Sequence, residues 1–121
     1  MIPKSYEMLV KSLIEKTKSG KSSWNKTSVK DQYKLILNTG MVVLTYKDDV
    51  IDGKIIYLDI YDNAGQLVGS ISADYAYNRP DFVILNDLYN SILRIKELKI
   101  NEQISILMDE INTSDKIGKE N

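Results

Sequence analysis

The chain has 121 residues, 43% hydrophobic and 27% charged, with 16 basic against 17 acidic side chains, no cysteine and no histidine. That length supports one continuous hydrophobic core, and the balanced charge leaves no overall positive field to draw in a nucleic acid backbone by counterion release. The missing residue types exclude disulfides, thiolate nucleophiles, cysteine- or histidine-ligated zinc, and any acid–base step or triad that relies on imidazole.

In chain order, Tyr6, Leu9, Val10, Leu13 and Ile14 recur at helical spacing and predict an amphipathic helix from about Ser5 to Lys18. Lys11, Ser12, Glu15 and Lys16 interrupt its apolar positions, so the segment reads as an ordinary helix and not as a targeting sequence. Gly20 ends the pattern, and the polar stretch from Thr17 to Ser23 predicts an exposed connection. Trp24 stands alone among polar residues and is expected to plug one edge of the core.

From about Asp31 the period changes to two. Tyr33, Leu35 and Leu37 form one alternating run, and Val42, Leu44 and Tyr46 a second beyond the turn at Asn38-Thr39-Gly40. A polar cluster from Lys47 to Gly53 leads into a third strand, Ile55 to Tyr61, and Asp62-Asn63-Ala64-Gly65 is a turn before a fourth, Gln66 to Ala73. Short connections predict a four-stranded antiparallel meander. Pro80 and Asp81 suit a helix start, and Leu85, Leu88, Tyr89, Ile92 and Ile95 carry that helix to about Lys96 or Leu98. A further helix is expected from Asn101, burying Ile104, Leu107, Met108 and Ile111. The fold expected is α+β, with an N-terminal helix, the meander, and two C-terminal helices packed on one sheet face. One domain is expected over residues 1–112, with a frayed polar tail over 113–121.

Two motifs fall short of their chemistry. Gly20-Lys21-Ser22 matches the end of a phosphate-binding loop, but Glu15 occupies the position of its first glycine, and the segment follows a helix where that loop follows a strand. Asp48, Asp52, Gly53 and Asp59 fall on positions of a calcium-loop pattern, but Val50 and Ile56 replace other liganding positions and the flanks are strands. No metal site, cofactor or catalytic constellation is read from the sequence, and none is assigned.

The alternation has a consequence for surfaces. With Tyr33, Leu35, Leu37, Val42, Leu44, Tyr46, Ile56, Leu58, Ile60, Leu67 and Ile71 toward the helices, the opposite face carries Ile36, Met41, Val43, Ile55, Tyr57, Asp59, Tyr61 and Val68. That face is either a contact surface or covered by another element of the same chain. Eight tyrosines against one phenylalanine fit half-exposed aromatic positions at interfaces or pockets. The resulting expectation is a non-enzymatic protein-interaction module that forms a homodimer or binds a protein partner through Met41, Val43, Ile55, Tyr57, Asp59, Tyr61 and Val68. The alternative is a small-molecule binder that holds an anionic or nucleotide-like ligand among Trp24, Lys21, Tyr75, Tyr77 and Arg79. Duplex nucleic acid and membrane are not expected partners. A cytoplasmic setting fits the absence of cysteine, and the abundance of Lys, Ile, Asn and Tyr points to an AT-rich bacterial or phage genome.

Overall fold

A computed structural model describes residues 2–119. The first and last two residues of the chain, which fall in the expected domain and the expected tail, lie outside the described residues. Helix α1 (Lys4–Lys18) is followed by strands β1 (Asn25–Lys26), β2 (Gln32–Leu37), β3 (Gly40–Asp49), β4 (Gly53–Asp62) and β5 (Leu67–Asp74), and then by helix α2 (Arg79–Thr113). The strands form one antiparallel meander in chain order. The α+β class and the order of helix, sheet and helix agree with the sequence pattern.

Two counts differ. The sheet has five strands, because Asn25 and Lys26 pair with Lys34 and Tyr33 along the outer edge of β2. Two exposed polar residues carry no alternation, so nothing in the pattern announced them. The two C-terminal helices are one helix of 35 residues. Between Lys96 and Asn101 there is neither Gly nor Pro, and Asn101 costs a helix interior less than about 1 kcal/mol, too little to break a helix already propagating from both sides.

Both helices lie on one side of the sheet. The core joins Val10 and Leu13 of α1, Leu35, Val42, Leu44, Ile56, Leu58 and Ala73 of the sheet, and Phe82, Leu85, Leu88 and Ile92 of α2. Each such aliphatic side chain withdrawn from water contributes about 1.5–3 kcal/mol. The face expected toward the helices is the one that faces them, with two corrections. Leu37, the last residue of β2, is exposed beyond the reach of either helix. A bulge in β5 opposite Ile60 and Tyr61 pairs Ile60 with Gly69 and Tyr61 with Leu67, which moves Leu67 out of the core and onto the opposite face.

Tight backbone approach fixes the β2–β3 turn. A Cβ added at Gly40 would collide with the carbonyl oxygen of Tyr61 on the neighbouring strand. Gly40→Ala is therefore expected to lower the unfolding free energy by about 2–4 kcal/mol, read from a lowered urea midpoint at unchanged slope.

Tyr89 of α2 stacks on Tyr46 at 5.0 Å and tilts against Tyr33 at 6.1 Å. Burial pushes its phenol up to about 12, and the neighbouring Asp31 carboxylate, which is also its hydrogen-bond partner, adds to the rise. Because the folded value lies above the unfolded one, the stability from the neutral phenol is fully present below pH 10 and is lost as pH rises through about 12. Tyr89→Phe is expected to be less stable at neutral pH and to show a smaller further loss than the natural chain between pH 10 and 12. Urea titrations across that range check both.

Candidate interaction surfaces

Trp24 is held in the core by a hydrogen-bond centre built on Thr17. The Thr17 hydroxyl donates to the carbonyl of Leu13 at 2.7 Å and accepts from Trp24 Nε1 at 3.0 Å and Ser22 Oγ at 3.1 Å, so its one donor and both lone pairs are used. From the other side, Lys96 Nζ of α2 donates to the Trp24 carbonyl at 2.7 Å. Burial lowers the Lys96 pKa, with a smaller contribution from Lys99. The space among these groups is about 20 Å³, which leaves no room for a ligand.

Lys21 lies just beyond the end of α1 and is exposed. Its backbone N–H donates to the Lys16 carbonyl, and that of Gly20 to Thr17, with Gly20 at a φ of 73°. This is a helix-ending motif in which the amides of the Gly20-Lys21 segment cap carbonyls. Tyr75, Tyr77 and Arg79 sit at the far end of α2. The Arg79 guanidinium lies 4.1 Å from the centre of the Tyr75 ring, which meets Phe82 edge-on at 5.4 Å, while Tyr77 extends into solvent. Between Arg79 and Lys96 the helix runs roughly 25 Å at ~1.5 Å per residue. The structure therefore does not bring Trp24 and Lys21 to Tyr75, Tyr77 and Arg79. In the same way, Asp48, Asp52 and Gly53 lie at the tip of the β3–β4 hairpin, whereas Asp59 lies well down β4 opposite Val43. Among the described residues no cluster of three or more acidic side chains could hold a metal ion, and no helix is long and apolar enough to cross a membrane.

The second sheet face is open: both helices pack on the other side. Across the strands its rows read Ile36, Met41, Tyr61 and Leu67; Lys34, Val43, Asp59 and Ser70; Gln32, Thr45, Tyr57 and Ser72. The first row, with the bulged Val68, is its apolar end. The next two are largely polar and tied internally, by Ser70 Oγ donating to Asp59 at 2.6 Å and Gln32 Nε2 to Thr45 at 2.9 Å. Val43, expected at the centre of a contact surface, is only 7% exposed, since its neighbours on the same face already cover it. Met41, Ile55, Tyr57, Asp59 and Tyr61 are half-buried, whereas Val68 is freely exposed.

A larger uncovered surface lies elsewhere. Ile95 and Lys96 are the last partly buried residues of α2, and every described residue from Glu97 onward is exposed. About 25 Å of helix thus runs past the body into solvent. Ile104, Leu107, Met108 and Ile111, expected as buried positions, are 46–50% exposed, and Ile100 is 59% exposed. Their spacing was legible, but not that they lie beyond the end of the sheet. Val50 and Ile51, flanked by Asp48, Asp49 and Asp52, add a fully exposed apolar hairpin tip.

Compared with family models, curated proteins and solved structures, the chain matches none.

Thr17→Val keeps the side-chain volume but leaves Trp24 Nε1 buried without an acceptor, a loss of about 1–3 kcal/mol. The expected outcome is a lowered thermal midpoint together with red-shifted Trp24 fluorescence before global unfolding, as the indole becomes wet.

Proposed function

We propose that this protein is a non-enzymatic interaction module that self-associates through apolar surface its own fold leaves uncovered. The observation that carries this reading is the distal half of α2, which holds Ile100, Ile104, Leu107, Met108 and Ile111 in water with no other element beside them. A contiguous exposed apolar stripe of this kind marks a contact surface, and packing against a partner would withdraw it from water. The open sheet face supplies a second, weaker surface of the same kind, centred on Met41, Tyr57, Tyr61 and Val68 with Val43 and Ile55 beneath and beside them. The lack of histidine and cysteine and the absence of an enclosed cavity with convergent titratable groups among the described residues support a binding role over catalysis. A reducing, cytoplasmic setting is consistent with a chain that has no cysteine.

Sedimentation velocity from low to several hundred micromolar protein tests the reading. The natural chain is expected to shift toward a dimer with concentration, and the double variant Ile104→Glu/Leu107→Glu to stay monomeric with its near-ultraviolet circular dichroism unchanged. A natural chain that remains monomeric throughout overturns self-association. A dimer that survives the double variant but is lost in Tyr61→Lys moves the interface to the sheet.

A further inference from the structure

We propose that the occupant of the exposed α2 stripe is the same stripe of a second copy, laid antiparallel. This rests on the self-association proposed above and adds its geometry. Ile100, Ile104, Leu107 and Ile111 are separated by four, three and four residues, the spacing of a two-helix seam. That spacing reads the same in both directions. In an antiparallel pair Ile100 therefore stands opposite the second copy's Ile111, and Ile104 opposite its Leu107, around a two-fold axis between Ser105 and Ile106, with no apolar residue of the seam left over.

Charge selects this orientation over the parallel one. The part of α2 leaving the body carries Arg94 and Lys99 against Glu97, with the Lys96 ammonium already bonded to the Trp24 carbonyl, whereas the distal part carries Glu102, Asp109 and Glu110, followed by Asp115 and Lys116 just past the helix end. Side by side in parallel, two copies place acidic end against acidic end, with Glu110 flanking the seam next to the other copy's Asp115. Reversed, the repulsion between Glu110 and Asp115 is removed: Arg94 flanks Asp115, and Glu110 meets the uncharged Gln103. Opposite charges in these flanking positions set orientation in helix pairs, and antiparallel helices also oppose their dipoles favourably.

The seam from Ile100 to Ile111 is about 17 Å long, so it buries less than the ~800 Å² per partner of a standard stable interface. A dimer that exchanges freely at micromolar concentration is the expected strength.

The absence of cysteine in the sequence makes the test direct, since a single introduced thiol is the only one present. Ile100→Cys and Ile111→Cys are prepared separately, oxidised with glutathione disulfide alone and as an equimolar mixture, and compared by non-reducing electrophoresis and mass spectrometry. Circular dichroism confirms that each variant keeps its fold, and sedimentation velocity of the natural chain is run in parallel. The expected result is a disulfide dimer many-fold more abundant in the mixture than in either variant alone, containing one chain of each kind, and not formed when the oxidation is carried out in urea. Abundant dimer in each variant alone indicates parallel helices and overturns the orientation while leaving self-association intact. A natural chain that dimerises while neither the single variants nor the mixture cross-link overturns the α2 seam, and a natural chain that stays monomeric overturns both readings.

Discussion

The rest of the molecule depends on a one-sided sheet. Leu44 and Val42 of β3 and Ile56 and Leu58 of β4 lie at the centre of the meander and are covered from one direction only, by α1 and by Leu85, Leu88 and Ile92 of α2. Two helices packed side by side cover the sheet on that one face. No helix remains for the other. The chain meets this by placing polar side chains among the tyrosines of the second face and bonding Ser70 to Asp59 and Gln32 to Thr45, so that most of that face is tolerable in water without being strongly polar.

The same one-sidedness accounts for α2. Its first half is apolar where the sheet is, with Phe82, Leu85, Leu88, Tyr89 and Ile92 buried in succession. The sheet ends, but the sequence continues to favour helix, with leucine, glutamate, lysine, isoleucine and glutamine in the turns that follow. The apolar stripe in this second half therefore has no partner in its own fold, and the interaction role proposed above rests on that geometry more than on the composition of the sheet face.

Much of the fold could be read from the sequence because its signals are local. The Asp62–Gly65 turn has the glycine at positive φ and the aspartate accepting two backbone N–H groups, from Ala64 and Gln66. The alternation of β3 and β4 assigned nearly every residue to its observed face. What failed was information that is not local. Gly69, isolated within the strand, is a general mark of a bulge or close approach, but that Leu67 turns outward is a property of the pairing with β4. The spacing of Ile104, Leu107 and Ile111 marks an apolar stripe correctly but cannot state whether the body extends far enough to cover it. The lysine and tyrosine of the supposed ligand walls are close to Trp24 and Arg79 respectively in sequence, and the length of α2 alone keeps the two ends apart.

That length also has a mechanical meaning. The Lys96 side chain ties α2 to the Trp24 backbone where the helix leaves the body, and Phe82 to Ile92 clamp it along the sheet, so the exposed half is the free end of a beam whose other half is fixed. A helix without glycine or proline from Asp81 to Thr113 bends little. A partner docked near Ile111, as proposed above, would accordingly be held at a distance from the β-sheet set by the number of residues between Lys96 and Thr113.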